Sequence, residues 1–255
     1  VNQNAKYTVK CLDHGFVTLR NIAGPTRRDA YTNIIRQDKE PPYGNVFDAD
    51  DTDVANAARM SFDSSDQDRT YEDEMRLNRY LLKNQHMTPF EAIVVWLEMK
   101  LPIFVARQMV RQRTQSINEV SARYVTLPEE WYIPKVVGGK AANKKQGQED
   151  NLSQDVQQAF RVDIDQHCAS AYAMYKHYIR LGAAPEHARM FLHVNHYTHW
   201  LTTMNLRNLF ISFLSLRDHS HAQIEAQVYA RATIELLEPH LPGLMQMYKE
   251  LVRKA

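Results

Sequence analysis

Apolar and polar residues alternate loosely through YTVKCLDHGFVTLR, residues 7 to 20, on either side of Asp13-His14-Gly15. A period of two broken by Asp-His-Gly predicts two short strands joined by a turn. The stretch ending in KEPPYGNVFDADD mixes prolines, a glycine and acids, and reads as a loop feeding a helix near DVANAARM. A second helix is predicted from about Tyr71 to Lys83, ending before Asn84-Gln85-His86-Met87-Thr88-Pro89. The β-branched run AIVVWLEMK, Ala92 to Lys100, predicts a strand. Pro102 then stands where a helix opens, with IFVARQMVRQR supplying its turns.

Between Pro134 and Asn151 the chain reads PKVVGGKAANKKQGQEDN, with adjacent glycines and four lysines, a candidate mobile loop or lid. Beyond it the pattern is helical: Ser153 to Leu181 with Gly182 as stop, Pro185 to about His193, then 198–216, 220–238, and 241–253 after Pro239. Strands confined to the first half and helices dominating the second predict an α+β fold. A single domain over residues 1–255 is expected, its short-stranded N-terminal sheet packed with a mainly helical C-terminal half.

Composition narrows the function. A formal net charge of +1 gives no global field for nucleic acid or an anionic membrane, so anion binding must come from local clustering. No apolar run approaches the roughly 18 residues of a membrane span, and VNQNAKYTVK lacks a basic region followed by an apolar core. Cys11 and Cys168 stand far apart without a CxxC pattern, which fits a reducing compartment and makes the cytoplasm the expected location. Neither GxGxxG nor GxxxxGK[ST] occurs, so a bound nucleotide would need side chains for its phosphates.

Those side chains concentrate in RQMVRQRTQSINEVSARY, residues 107 to 124, where Arg107, Arg111, Arg113 and Arg123 share the stretch with one acid, Glu119. On a continuous helix Arg107 and Arg111 would lie about 40° apart on one face, with Arg113 approaching from the helix end. Arginine makes forked contacts to phosphate and keeps its charge in a partly dry site. Ser116, Asn118, Glu119, Ser121 and Arg123 follow with donors and acceptors suited to a polar heterocycle. A run of charge is ordinarily a solvated helix face. Here the balancing acids are missing and the apolar lead-in LPIFVA sets the segment against a core.

Arg111-Gln112-Arg113, followed by seven residues and Ser121, resembles the RHRx7S signature of the flavin-dependent thymidylate synthases, the ThyX family. His86-Met87-Thr88-Pro89-Phe90-Glu91 resembles its HxTPFE segment, and Pro102 to Gln108 its PIFVARQ helix. Ser116 to Tyr124 is similar to its SxNExSxRY continuation, and Ala188-Arg189, Asn205-x-Arg207 and the stretch from Leu216 to Gln223 also resemble family segments. The resemblance implies a homotetramer that binds FAD where subunits meet. It implies conversion of dUMP to dTMP, with methylenetetrahydrofolate giving the carbon and NADPH the reducing equivalents. Carried over position by position, it makes His86, Thr88, Arg111, Gln112, Arg113, Glu119, Asn205, Arg207 and His221 cofactor contacts. It makes Gln108, Glu119, Val120, Ser121, Arg123, Arg189 and Arg217 substrate contacts, with Arg107 in support. Catalysis would rest on Arg217, Ser121 and Glu119, with Arg217 holding and polarising the pyrimidine.

Ser121 is also a formal candidate for a nucleophile, but no His or Asp stands near it in sequence, so a hydrogen-bonding role is expected. Two departures from the family pattern matter. Gln112 replaces the central histidine and cannot titrate near neutral pH. The stretch from Asn205 to Arg217 is one residue longer, which turns one end of a helix by about 100° unless a bulge absorbs it. These departures keep open a related dUMP-modifying reaction, such as hydroxymethylation, and a nucleotide-binding protein without catalysis. His193, His196 and His199 recur every three residues, but without a completing carboxylate or CxxC the expectation is no metal. Tyr172, Tyr175 and Tyr178 are expected as a core or subunit-facing stripe.

Overall fold

A computed structural model of the chain describes residues 7–25, 49–62, 69–140 and 148–253. Strands β1 (Thr8–Cys11) and β2 (Gly15–Ala23) pair antiparallel as the alternation predicts, with Val17 and Leu19 fully buried and Arg20 outward. Gly15 is required at the turn: a Cβ there would meet the Tyr229 hydroxyl at 2.1 Å and the Lys100 carbonyl at 2.7 Å. Helices α1 (Asp53–Arg59) and α2 (Tyr71–Lys83) follow, the second opened by a capping box between Thr70 and Asp73. Next come β3 (Val94–Pro102), α3 (Ile103–Met109), β4 (Ser116–Glu119), β5 (Gly138–Lys140), β6 (Gln148–Asn151) and α4 (Gln154–Arg180). The chain then forms β7 (Tyr197–Asn205), α5 (Ile224–Leu237) and α6 (Pro242–Leu251).

The five-stranded sheet has the order β1-β2-β3-β7-β4 with every neighbouring pair antiparallel. Val95, Leu97, Met99 and Leu101 of β3 are fully buried and join Trp200, Met204, Phe210, Phe213, Tyr229 and Tyr248 in one core. Helix α5 lies against β1 and β2. Gly182, at φ +85°, ends α4 as predicted, with the Ala183 N–H donating to the Tyr178 carbonyl at 3.0 Å. Cys11 and Cys168 are free and buried, and among the described residues no helix is long and apolar enough to cross a membrane.

Several expectations need correction. The helix predicted over 198–216 begins instead as β7, which pairs with β3 from Val94↔Asn205 to Pro102↔Tyr197, so strands are not confined to the first half. Trp200, Thr202 and Met204 face inward while Leu201 is exposed, the period of two that a threonine-rich segment carries in a sheet. The helix predicted through Arg113 stops at Met109, leaving Arg111 beyond it, so Arg107 and Arg111 do not share a helix face. Ser116 to Glu119 is a strand. The Pro185–His193 helix is a four-residue turn, Pro185–Ala188, running into a 3-10 turn at Arg189–Phe191. In the lysine-rich stretch, β5 and β6 form a hairpin whose base is tied to α4, the Val137 N–H donating to Gln157 at 3.1 Å and Arg161 to the Lys135 carbonyl at 3.0 Å. Residues 141–147, within the stretch expected to be a mobile loop or lid, lie outside the described residues.

Between Asn205 and Arg217 the chain forms a π-helix, Leu209–Leu214, the kind of bulge that an extra residue there would need. The Ser215 N–H reaches back five residues to the Phe210 carbonyl at 3.2 Å. A π-turn accommodates one residue more than an α-turn, and Phe210, Phe213 and Leu214 of this segment lie in the core.

The three regularly spaced histidines face different neighbours. His193 stacks on His167 at 4.5 Å, His196 on Tyr172 at 6.1 Å, and His199 contacts Glu98 at 2.7 Å. His196 is 2% exposed and its Nε2 has no hydrogen-bond partner. Burial pushes its pKa down to about 4. The unfolded chain therefore takes up this proton near pH 6.5 and the folded chain only near 4. Between those values the unfolded state binds more protons, so stability falls as pH falls, by on the order of 3 kcal/mol in all. Urea midpoints at pH 7 and pH 5 measure this (two working pH values on either side of the unfolded pKa of about 6.5). The same pH slope in His196→Gln would assign the effect to another group.

Candidate functional site

A cleft of about 350 Å³ opens where the end of α3 meets the segment after the π-helix. Gln108, Arg111, Gln112, Arg113 and Thr114 form one wall, and Ser212, Leu216 and Arg217 the other. The first wall exists because α3 stops: Met109 is fully buried, and Gln115 Nε2 donates to the Met109 carbonyl at 2.7 Å, capping a helix end. The chain turns beyond it, the Gln112 N–H donating to the Met109 carbonyl at 3.2 Å, and Arg111 and Arg113 are exposed while Gln112 between them is 7% exposed. Among the described residues neither arginine forms an ion pair.

Arg217 is 5% exposed. Its Nη1 donates to the carbonyls of Ser212 (3.1 Å) and Phe213 (2.9 Å), its Nη2 to that of Gln108 (3.1 Å), and its guanidinium lies 5.0 Å from the Phe213 ring. Burial pushes its pKa down to about 10, so it stays charged at neutral pH. Among the described residues no carboxylate pairs with it, and its Nε is buried without a partner. The result is a fixed cation held by carbonyl dipoles, preorganised for an anionic or electron-rich ligand.

Gln112 Nε2 donates to Thr114 Oγ1 (3.3 Å) and to the Asn208 carbonyl (3.4 Å), while its Oε1 is buried and without a partner. Amide and neutral imidazole each offer a donor nitrogen and an acceptor atom, the amide with one N–H more. Gln112→His is therefore expected to preserve or raise turnover at neutral pH and to introduce an acid limb below about pH 6.5 that the wild type lacks. A pH–rate profile checks this, and complete loss at every pH would mean that the site is rebuilt around glutamine.

Other predicted cofactor residues lie outside the cleft's lining, some tied to it through Asn208. Asn205 caps the turn that follows β7, its Oδ1 accepting the Asn208 N–H at 2.9 Å, and Asn208 Nδ2 donates to the Thr114 carbonyl at 3.2 Å. Arg207 donates to Glu91 at 2.6 Å and keeps a buried, partnerless Nε. Thr88 is exposed at the start of the 3-10 turn (Thr88–Ala92) that carries Glu91, and His86 is exposed with its ring 6.0 Å from Tyr80. Arg107 is exposed on α3, Gln108 Nε2 donates to Gln223, and His221 is exposed in a turn where its N–H meets His219 Nδ1 at 3.2 Å.

A second group lies elsewhere. Glu119, paired with Trp200 across β4 and β7, accepts from Thr198, and the Val120 N–H donates to the His199 carbonyl at 2.8 Å. Ser121 Oγ accepts the Arg123 N–H at 3.3 Å, with no described His or Asp hydrogen-bonded to it. Arg123 is 3.6 Å from Glu186, whose short helix leads into the exposed Arg189. Trp200 and Asn205 are five residues apart on β7, about 17 Å along a strand. One chain thus assembles Gln108, Arg111, Gln112, Arg113 and Arg217, and holds Glu119, Val120, Ser121, Arg123 and Arg189 toward the other end of β7. Thr114 and Leu216 were not foreseen as site residues. The extra residue before Arg217 was the signal for Ser212.

Residues 45–243 match the family described as thymidylate synthase complementing protein. The chain is similar to a flavin-dependent thymidylate synthase of Rickettsia conorii, 35% identical over 257 residues that cover 95% of this chain and 78% of the relative. It is also similar to one of Gluconobacter oxydans, 38% identical over 207 residues covering 79% and 67%. In structure it is similar to the UMP/dUMP methylase PolB of Streptomyces cacaoi bound with 5-Br dUMP. That likeness has a TM-score of 0.77 at 25% identity, covering 96% of this chain and 99% of that one.

Proposed function

The chain belongs to the thymidylate synthase complementing protein family, and from that premise we propose that it is a flavin-dependent thymidylate synthase acting on dUMP to give dTMP in the cytoplasm. The observation that carries the reading is Arg217, a buried cation set in the wall of a cleft whose arginines, among the described residues, have no carboxylate partner.

Methylation at C5 of a uracil requires electron density there, and a cation beside the carbonyl edge stabilises the anionic character that develops. Arg217 does this without a proton transfer, since its guanidinium keeps its charge. Gln108, on the opposite wall, orients the ring. Glu119, Val120, Ser121, Arg123 and Arg189 hold the nucleotide by hydrogen bonds and charge, and Ser121 binds rather than attacks.

The residues present fit FAD. Arg111 and Arg113 are exposed cations facing an open cleft and suit a pyrophosphate. The partnerless Oε1 of Gln112 suits an N–H donor, and the free Nε of Arg207 an acceptor. His86, Thr88, Asn205 and His221 complete the cofactor contacts. When bound, FAD supplies reducing equivalents taken from NADPH, while methylenetetrahydrofolate supplies the carbon.

The separation of the two groups along β7 supports a homotetramer in which one copy's Glu119–Arg123 segment and Arg189 complete the cleft of another. Val120, Tyr124, Val125, Met190 and Leu201, exposed in the single chain, suit burial at such contacts.

Release of tritium from C5 of labelled dUMP tests the reading. It is expected to depend on both methylenetetrahydrofolate and NADPH, and no release from protein that retains FAD would contradict it.

A further inference from the structure

We propose that Arg253 is a positioning residue for Arg217, acting through the buried carboxylate of Asp218; this rests on the substrate role given to Arg217 above. Arg217 and Asp218 share one tight turn, their N–H groups donating to the same Leu214 carbonyl at 2.9 and 2.7 Å. Their side chains part from there. The Arg217 guanidinium goes to the carbonyls of Gln108, Ser212 and Phe213 at the cleft. Asp218 is 0% exposed and meets Arg231 of α5 and Arg253 just beyond α6. Arg253 Nη2 donates to Oδ1 at 2.9 Å and its Nε lies 2.9 Å from Oδ2 as an ion pair without a hydrogen bond to that oxygen, while Arg231 stands 3.8 Å from Oδ1.

The end of α6 aims Arg253 at this target. The N–H groups of Val252 and Arg253 both donate to the Tyr248 carbonyl, at 3.0 and 2.9 Å, and Val252 packs against the core. A buried carboxylate stripped of its close partner must find water or another cation. Arg231 already stands 3.8 Å from Oδ1 but is exposed, and Arg217 is the buried cation next to Asp218 in the chain. Arg253 thus keeps the neighbouring acid away from the one guanidinium that the cleft needs free of carboxylates.

A role confined to fold stability would predict a general loss, so the test separates dUMP binding from flavin content. Arg253→Ala is expected to weaken equilibrium dUMP binding by about tenfold or more with FAD retained. Arg253→Lys should recover much of it. The double variant Asp218→Asn with Arg253→Gln should return to within about threefold of wild type, because no charge is left to be drawn to Arg217. A crystal structure of Arg253→Ala is expected to show Asp218 within about 4 Å of the Arg217 guanidinium, or Arg217 displaced from its three carbonyls. Unchanged dUMP binding in Arg253→Ala, or a double variant no better than the single one, would overturn the proposal. Should the wild type fail to bind dUMP, the functional reading falls. The geometry of Arg217 in the Arg253→Ala structure still decides this inference, since an undisturbed Arg217 would overturn it.

Discussion

Arg217→Ala is expected to abolish conversion of dUMP while the purified protein keeps most of its FAD. The guanidinium is 5% exposed and bound to three carbonyls, so no water or second side chain stands ready to replace it. Removing a preorganised charge from where charge develops costs on the order of 10² to 10³ in kcat, and more where the same group also binds substrate. Arg217→Lys should rescue little: an ammonium is a compact point charge and cannot span the three carbonyls in one plane while facing a ring. Flavin content serves as the control for folding, because Arg111 and Arg113 lie on the opposite wall. Normal turnover by Arg217→Ala would show that the substrate assignment is wrong.

Replacing both Arg111 and Arg113 with alanine is expected to strip the flavin. Both side chains are exposed and, among the described residues, without ion pairs, so their loss leaves the core intact. Each charge-assisted contact to a phosphate contributes about 2 kcal/mol, so losing two weakens binding by roughly 10³-fold. That is enough to lose the cofactor during gel filtration. The apoprotein should keep its thermal midpoint in the absence of added FAD. Unchanged flavin content would sink the view that these arginines hold the pyrophosphate.

Much of the fold was legible where one physical signal acted alone. β2 and β3 alternate or run apolar between turn residues, and α4 ends at a glycine in the left-handed region. β7 was not legible, because two signals competed. Its Trp200-Thr202-Met204 alternation is overlaid by histidines at i, i+3 spacing and followed directly by the apolar run of the π-helix, which together mimic one long helix. The candidate site was legible as chemistry more than as geometry. Unbalanced arginines marked Arg111 and Arg113, but the inward turn of Gln112 depends on α3 stopping at Met109, which no cap residue announces. Glu119 and Ser121 follow the arginines closely in sequence, yet strand β4 carries Glu119 to its place opposite Trp200. Arg217 enters the cleft only through the packing of the π-helix, a tertiary fact.

The central claim is that this cleft methylates dUMP at C5. Its most direct test is the mass of the nucleotide recovered after incubating the protein with dUMP, methylenetetrahydrofolate, NADPH and FAD. A gain of one methyl carbon at C5 is the predicted result, and would make Gln112 a functional replacement for the family's histidine. A hydroxymethylated product would contradict the assigned reaction, and unchanged dUMP on protein that holds FAD would contradict catalysis itself.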